Sequence, residues 1–219
     1  MQAQAENLSL QVSEIFYSLQ GESSRIGLPT VFVRLTGCPL RCVWCDTEHA
    51  FTGGQRMQIS TVLAQVSAFD TPRVCVTGGE PLAQKNCLRL LSALCDAGHD
   101  VSLETSGALD ISGVDSRVSR IVDLKAPDSG EAARNLWTNI ALLTARDEVK
   151  IVLASRADYD WAKHVIVERQ LERVCPVVFS PVQATLDPRE LAEWILADHL
   201  PVRFQIQLHK LLWGNAQGK

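Results

Sequence analysis

An apolar run leads directly into a cysteine-rich loop in the stretch Val31-Phe32-Val33-Arg34-Leu35-Thr36-Gly37-Cys38-Pro39-Leu40-Arg41-Cys42-Val43-Trp44-Cys45-Asp46. Its first five residues are rich in strand-forming types, which predicts a buried strand. Reactive groups of α/β proteins gather at the carboxyl edge of the parallel sheet, where strands end and loops begin. The stretch therefore predicts a strand of a parallel sheet with a site at its carboxyl end.

The alternation of strand and helix patterns recurs along the chain and predicts its architecture. Further strands are expected at residues 10–16, 74–77, 101–104, 121–124, 149–153, 177–179 and 202–208. Helices are expected over residues 60–69 capped by Ser60, 82–97 ending before Gly98, 159–171 capped by Asp158, and from Asp187-Pro188 onward. A full barrel of eight units takes about 250 residues. We expect one α/β domain over residues 1–219, an open, partial TIM-like barrel of about six βα units with a mainly parallel sheet.

Composition excludes several classes of protein. The chain has 219 residues, of which 46% are hydrophobic and 21% charged, enough for a continuous core. The net charge of −4 and the scattered Lys and Arg residues argue against nucleic-acid binding by phosphate neutralisation. No apolar run approaches the roughly 18 residues of a membrane span, and the first ten residues lack signal-peptide order. We expect a cytoplasmic protein that binds neither nucleic acid nor membrane.

The seven cysteines divide into a loop of three and four scattered residues. An odd number with three in eight positions fits a metal site in a reducing compartment better than a disulfide framework. Cys75, Cys87, Cys95 and Cys175 are interpreted as core residues. Three thiolates are one short of a closed zinc site, whereas a 4Fe-4S cluster can leave one iron free for another ligand. The spacing favours the cluster over zinc, with His49 either a fourth ligand or a loop residue.

A second polar element, Thr77-Gly78-Gly79-Glu80-Pro81, directly follows another predicted strand. Adjacent glycines let the backbone approach a ligand closely, and the proline fixes the direction of the exit. An ordinary strand-to-helix turn has the same composition. The turn therefore indicates a ligand site only in combination with the cysteine loop.

The C-x3-C-x2-C loop, with an aromatic residue before its last cysteine, and the Gly-Gly-Glu-Pro turn together resemble the radical S-adenosylmethionine (SAM) superfamily. In that superfamily three cysteines hold a 4Fe-4S cluster, and the amino and carboxylate groups of SAM bind the fourth iron. The resemblance implies that Cys38, Cys42 and Cys45 are the cluster ligands and that the Gly-Gly-Glu turn receives the amino group. Iron-sulfur clusters reach the low potentials that reductive cleavage of SAM needs.

Six segments carry a narrower resemblance. They read Phe16-Tyr17-Ser18-Leu19-Gln20-Gly21-Glu22, Phe32-Val33-Arg34-Leu35-Thr36-Gly37-Cys38, Trp44-Cys45-Asp46-Thr47, Glu104-Thr105-Ser106-Gly107, Asp147-Glu148-Val149-Lys150 and Gln207-Leu208-His209-Lys210. Over residues 12–210 the chain is thus similar to the 7-carboxy-7-deazaguanine synthase family of 7-deazapurine (queuosine) biosynthesis. The resemblance implies a lyase that contracts the ring of 6-carboxy-5,6,7,8-tetrahydropterin with loss of ammonia, using a 4Fe-4S cluster, SAM and Mg2+.

The family resemblance also implies which residues contact SAM. They are Trp44, Cys45, Asp46, Gly78, Gly79, Glu80, Ser106, Asp123, Leu124, Lys125, Ser180, Pro181, Val182 and Gln183. Relatives often have Ser-Pro-Lys where this chain has Asp123-Leu124-Lys125, so only the basic residue is kept. Trp44 also has a core-packing interpretation.

Substrate and magnesium contacts follow from the same resemblance. The substrate residues are Leu19, Gln20, Gly21, Arg34 and Thr77, and the magnesium residue is Thr47. A guanidinium fork suits a carboxylate, although Arg34 could also be an outward-facing strand residue. Mg2+ usually keeps water ligands and takes further oxygens from substrate, so one threonine is enough from the protein. Gln207 and His209 are additional candidates near the C-terminus.

The resemblance implies a flavodoxin-type electron donor and a homodimer. One alternative is a glycyl-radical enzyme activase, which shares the cysteine loop and the glycine turn but acts on a protein backbone. The segment Leu19-Gln20-Gly21-Glu22 and Thr47 favour the small substrate instead. An alternative from a different class is a non-catalytic interaction module stabilised by zinc.

Overall fold

The computed structural model describes residues 8–214 and 216–219, and in them nine strands form a single sheet. The strands are β1 (Ser9–Leu19), β2 (Pro29–Leu35), β3 (Gln55–Gln58), β4 (Arg73–Gly78), β5 (Asp100–Thr105), β6 (Ser119–Lys125), β7 (Glu148–Leu153), β8 (Val177–Pro181) and β9 (Arg203–Phe204). The helices are α1 (Ile59–Ser67), α2 (Cys87–Asp96), α3 (Arg156–Arg169), α4 (Pro188–Ala197) and α5 (Leu208–Trp213). No helix among these described residues could cross a membrane.

The sheet order is β3-β1-β2-β4-β5-β6-β7-β8-β9. Strands β2 and β4 to β9 run parallel, whereas β1 pairs antiparallel with both β2 and β3. Within the described residues β3 and β9 are edge strands, so the sheet curves without closing. The predicted fold class, a mainly parallel and open α/β architecture, is confirmed.

Side-chain alternation along the strands separates core from site. Val31, Val33 and Leu35 of β2 are fully buried in the apolar core that also contains the buried faces of α1 to α4. Because successive side chains point to opposite faces of a strand, the residues between them face the other way. On that second face Arg34 lies opposite Thr77 of β4, and Asp123 of β6 lies opposite Lys150 of β7. The concave face of the sheet is therefore polar near the carboxyl ends.

Two predicted helix caps are wrong and one is confirmed. Helix α1 begins after Gln58, and Ser60 is its second residue rather than its cap. Helix α3 begins earlier than predicted, because Ser155 accepts a hydrogen bond of 3.2 Å from the backbone N–H of Asp158 and is itself the cap. Asp187 caps α4 as predicted, accepting from Arg189 N at 2.8 Å.

The helix predicted over residues 82–97 is interrupted near its start. A short 3-10 turn at Pro81–Ala83 precedes α2, and Gln84 between them has an extended backbone. The Gln84 side chain reaches back across the sheet, accepting from Gln11 N at 2.8 Å and donating to the carbonyls of Gln11 and Thr36. These long-range hydrogen bonds of Gln84 explain why the helix is interrupted there. The predicted stop at Gly98 is confirmed by its left-handed backbone, with φ of 87°.

Three other differences concern strands and crossovers. The strand predicted over residues 202–208 ends at Phe204, because Gln205 turns to exchange hydrogen bonds with the backbone of Ser23 and α5 begins at Leu208. Strand β3 was not predicted, since Gln55–Gln58 is mostly polar. The crossovers from β5 to β6 and from β6 to β7 contain no α-helix in the described residues. In the described residues four parallel crossovers contain an α-helix (α1, α2, α3 and α4), fewer than the six or so units that were expected.

The loop between β1 and β2, residues 20–28, closes the amino end of the sheet; we call it the floor loop. Arg25 forms an ion pair of 2.6 Å with Asp100 at the start of β5. Ser24 N donates to the carboxylate of Glu148, the first residue of β7, at 2.9 Å. These contacts with the first residues of β5 and β7 hold the floor loop beneath the concave face.

Candidate active site

A cavity of about 1020 Å3 opens on the concave face at the carboxyl edge of the sheet. The predicted site residues that line it are Leu19, Gln20, Gly21, Arg34, Cys38, Cys42, Trp44, Cys45, Asp46, Thr47, Thr77, Gly78, Gly79, Ser106, Asp123, Lys125, Val182 and Gln183. Glu80, Leu124, Ser180 and Pro181 lie outside its wall. Residues far apart in sequence thus meet in one cavity.

The cysteine loop forms one wall of the cavity and is held by backbone contacts on both sides. Gly37 donates to the Ala50 carbonyl at 2.7 Å, and the Gly37 carbonyl accepts from Glu80 N at 2.7 Å. On the outer side, Val43 N donates to the Ser129 carbonyl at 3.1 Å. Residues 127–134 contain two short 3-10 turns and help to hold the cysteine loop.

Three thiols of the cysteine loop line the cavity. Burial raises the pKa of Cys38 and of Cys42, and neighbouring Cys45 adds to both increases. Among residues 8–214 and 216–219, no three His, Cys, Asp or Glu side chains converge on a position for one metal ion. A 4Fe-4S cube needs no such convergence, because each thiolate binds a different iron. The arrangement of the thiols is therefore compatible with a cluster.

The glycine turn packs directly against the cysteine loop. A Cβ atom on Gly79 would lie 2.4 Å from the Gly37 carbonyl oxygen and 2.8 Å from the Cys38 Cβ. A side chain at this position would therefore displace the loop that carries the thiols. The close approach keeps backbone groups of the turn beside the cysteines, as a ligand bound between them requires.

Glu80 supports the cavity wall from behind. Its carboxylate is fully buried and accepts hydrogen bonds from Leu82 N, Thr105 Oγ1 and both the N–H and Oγ of Ser106, at 2.5 to 3.0 Å. These donors occupy both oxygens. The predicted contact of the Gly-Gly-Glu turn with a ligand stays a prediction. The Glu80 carboxylate itself lies outside the cavity lining and orients Ser106.

Three other predicted SAM residues outside the cavity lining, Leu124, Ser180 and Pro181, lie on buried strands. Leu124 belongs to the apolar core, because strand alternation turns it away from the cavity that Asp123 and Lys125 line. Ser180 and Pro181 are buried at the end of β8. The cavity wall in this region begins at Val182, one residue beyond the strand.

The bottom of the cavity is a network of polar side chains. Gln20 Nε2 donates to Glu104 Oε1 at 3.1 Å, and Thr77 Oγ1 donates to Glu104 Oε2 at 2.9 Å. Glu22 of the floor loop accepts from Lys150 Nζ and from Gln207 Nε2. Predicted substrate residues are thus held by acidic residues for which the sequence predicted no role.

Arg34 lies beside an acidic residue and an aromatic pair. Its Nε donates to Glu14 Oε1 at 2.7 Å, and the guanidinium lies 5.8 Å from the ring centre of Phe16. Phe16 stacks on Phe32 with centroids 4.9 Å apart. His49 Nε2 is 3.5 Å from the same Glu14 oxygen. Arg34 therefore faces the cavity as predicted for a binding residue, and it is not an outward-facing strand residue.

The C-terminal helix α5 contacts both the floor loop and the cysteine loop. A Cβ on Gly21 would lie 2.1 Å from His209 Nδ1, and Leu208 N donates to the Gly21 carbonyl at 3.0 Å. Lys210 Nζ lies 3.0 Å from Asp46 Oδ2. Burial alone would raise the pKa of Asp46, but the neighbouring His209 and Lys210 outweigh it and hold this pKa well below its ordinary value. Helix α5 thus closes one side of the cavity.

Several lining residues were not predicted to have a role. The main ones are Glu14, Glu22, Glu104, Lys150 and Lys210, and residues 216–219. Lys150 carries a usable signal, because it is the one charged residue in the otherwise apolar run 149–153. Glu14 and Lys210 carry none, since their place depends on how β1 and α5 pack.

Comparison with known proteins agrees with this arrangement. Residues 32–168 match the model of the Radical SAM superfamily, and with the cysteine loop they define a radical SAM protein. The chain is 51% identical over 208 residues to 7-carboxy-7-deazaguanine synthase of Chlorobaculum tepidum, covering 94% of each protein. It is 40% identical over 219 residues to the Koribacter versatilis protein of the same name, covering 93% of this chain and 97% of that one. The chain belongs to the 7-carboxy-7-deazaguanine synthase family.

Structural comparison supports the same fold. The crystal structure of QueE from Escherichia coli aligns with a TM-score of 0.77 over 93% of this chain and 96% of that one. At 23% sequence identity this likeness concerns the fold. Family membership, by contrast, implies a 4Fe-4S cluster and SAM as cofactors.

Proposed function

We propose that this protein converts 6-carboxy-5,6,7,8-tetrahydropterin to 7-carboxy-7-deazaguanine and ammonia. The main support for this proposal is that the three thiols and the polar residues Gln20, Arg34 and Thr77 line one cavity. The 7-carboxy-7-deazaguanine synthases to which the chain is similar bear that product in their name. The reaction balances without a net oxidant, because the hydrogen taken from the pterin returns and the substrate equals product plus ammonia.

In this proposal Cys38, Cys42 and Cys45 hold the cluster. SAM lies along the cavity wall between the cysteine loop, the glycine turn and the residues Ser106, Asp123, Lys125, Val182 and Gln183. When bound and reduced, the two cofactors supply a carbon-centred radical that removes one hydrogen atom from the substrate. The close packing of Gly79 on Gly37 supports this fit.

The chain's own residues orient the substrate and exclude water. Leu19, Gln20, Gly21 and Thr77 bind the pterin, and Arg34 binds its carboxylate. One nitrogen of Arg34 is committed to Glu14, and a guanidinium has further N–H donors for a second carboxylate. Helix α5 covers the substrate from the side, through the contact of His209 with Gly21.

Magnesium, the electron donor and the assembly are further parts of the proposal. Thr47 contributes one oxygen to Mg2+, and water and the substrate carboxylate contribute the others. Thr47 Oγ1 lies 3.8 Å from Cys45 Sγ, so an ion there would be close to the cluster ligands. A flavodoxin-type protein supplies electrons, the chain forms a homodimer, and residues 1–219 form one domain.

Anaerobic turnover tests the proposal. The protein, reconstituted with iron and sulfide, is incubated with the carboxypterin, SAM, dithionite and magnesium, and products are identified by mass spectrometry. We expect 7-carboxy-7-deazaguanine. An intact cluster that cleaves SAM but leaves the carboxypterin unchanged would contradict the substrate assignment and favour an activase. A colourless protein with one bound zinc would contradict the cluster assignment.

Cysteine variants provide the matched control. Cys38→Ala, Cys42→Ala and Cys45→Ala are each expected to abolish turnover, because two thiolates cannot hold the cube with the open iron. Cys87→Ala is expected to retain most activity, since Cys87 is fully buried in the core and lies outside the cavity lining. Substantial turnover by any of the first three variants would show that the ligands are assigned wrongly.

A further inference from the structure

Lys150, to which the proposed reaction assigns no role, lies at the centre of a buried group of charges. It is on β7, directly opposite Asp123 of β6, and its side chain is 12% exposed. Its Nζ contacts Glu22 of the floor loop and lies 3.2 Å from Asp123 Oδ2. One ammonium group thus joins two elements that are distant in sequence.

The two elements joined by Lys150 form different walls of the cavity. Glu22 directly follows Gln20 and Gly21 in the floor loop, the segment proposed to bind the pterin. Asp123 begins the segment of β6 proposed to contact SAM, and Lys125 of that segment lies 3.1 Å from the same Asp123 oxygen. Any movement of Lys150 would change the spacing between the substrate wall and the cofactor wall.

Electrostatics show that Lys150 acts on both carboxylates. Burial alone would raise the pKa of Glu22, but the charge and hydrogen bond of Lys150 reverse this effect and lower it. Burial would likewise raise the pKa of Asp123, and the charges of Lys125 and Lys150 lower it. Asp123 Oδ1 is buried and has no hydrogen-bond partner within the described structure. A buried acceptor without a donor is costly, so this oxygen is suited to a ligand donor.

We propose that Lys150 is a positioning residue: by holding Glu22 and Asp123 together it sets the distance between bound carboxypterin and bound SAM. This inference rests on the proposed function. Positioning errors of about 1 Å can cost on the order of 100-fold in rate. Removing the ammonium would also leave Glu22 without its ion-pair partner, and Asp123 with Lys125 alone, in a cavity that must accept the substrate carboxylate.

Lys150→Met tests the inference, and Arg120→Met is its matched control. Arg120 is on β6 and forms an ion pair with Asp147, next to β7, that is buried to a similar degree but lies outside the cavity lining. We expect Lys150→Met to raise the KM for the carboxypterin, and its dissociation constant by equilibrium dialysis without reductant, by about tenfold or more, with kcat/KM about 100-fold lower. Arg120→Met should lower the melting temperature and leave the KM within about twofold of wild type.

Two results would overturn the inference. One is a KM for Lys150→Met within twofold of wild type, and the other is an equal rise in KM for Arg120→Met, which would indicate general destabilisation. If Lys150→Met does not fold, Lys150→Gln is judged by the same limits. Failure of the wild-type protein to convert the carboxypterin would contradict the proposed function, whereas normal wild-type turnover with unaffected Lys150 variants would contradict the positioning role alone.

Discussion

Strands β6 and β7 carry two buried charge clusters at opposite ends, and their hydrogen bonding differs. At the amino end, Asp147 is 1% exposed at its side chain and accepts from Arg120 N, Nε and Nη2 and from Thr144 N and Oγ1, at 2.7 to 3.0 Å. At the carboxyl end, Asp123 is bound by two lysines through Oδ2 only, and its Oδ1 has no partner in the described structure.

This difference separates a carboxylate satisfied within the fold from one with an acceptor left over. Buried polar atoms in folded proteins are almost always hydrogen-bonded, and the exceptions need an explanation. Asp147 is fully satisfied by its own chain, so it has no acceptor left for a ligand. Asp123 keeps an acceptor beside a cavity of about 1020 Å3, which supports the proposed role of its cluster in ligand binding.

Removing the amino-end pair should have the largest effect on stability. Arg120→Met leaves the Asp147 carboxylate buried without its cation, and we expect the free energy of unfolding to fall by about 3–5 kcal/mol. Thr144→Ala, which removes only one hydrogen bond to Asp147, should cost about 1 kcal/mol. Urea denaturation measures both. Equal effects of the two variants would contradict the central role of the ion pair.

Gly21→Ala should displace α5 from the side of the cavity. Its cost in stability should be smaller than that of Arg120→Met. The new methyl group would lie 2.1 Å from His209 Nδ1, so the imidazole must move. We expect a loss of about 1–3 kcal/mol in unfolding free energy, together with a higher KM for the carboxypterin. The double variant Gly21→Ala/His209→Ala should recover the stability but not the KM. A single variant that matches wild type would contradict the close contact.

The smallest effect is expected for the contribution of Asp147 to stability at low pH, which acid titration measures. Burial would raise the pKa of Asp147, but the hydrogen bonds from Arg120 and Thr144 lower it below the ordinary 3.8. A carboxylate with a lowered folded-state pKa stabilises the fold above its unfolded pKa, and this contribution is lost as pH falls through the folded value. Unfolding free energy should thus decrease below about pH 5, and less steeply in Asp147→Asn. The same slope in both proteins would exclude Asp147 as the cause.

The sequence predicted most strands because most are short apolar runs followed by a polar loop, whereas the polar strand β3 was missed. It predicted much of the cavity wall for the same reason, since Cys38, Thr77 and Ser106 follow or end such runs. The bond between Glu22 and Lys150 joins residues 128 positions apart, and no local pattern encodes such a contact. Local propensity also failed at Gln84, where bonds to Gln11 and Thr36 override the helical pattern.

The predicted role of Glu80 shows a different limit. A motif identifies which residues belong to a site but not which atoms face the ligand, and here four donors from the chain occupy the carboxylate. The sequence predicted no role for the crossover from β6 to β7 either. Its 3-10 turns help to hold the cysteine loop, where Val43 N donates to the Ser129 carbonyl.

In the proposed reaction the pterin ring is contracted and the hydrogen removed from it is returned. The most direct measurement is the amount of ammonia and of 7-carboxy-7-deazaguanine formed by the wild-type protein from excess carboxypterin, with SAM supplied in substoichiometric amount. We expect ammonia and product in equal amounts, both exceeding the SAM supplied. Product formation that stops when one SAM has been consumed per product, or that releases no ammonia, would contradict the proposed reaction.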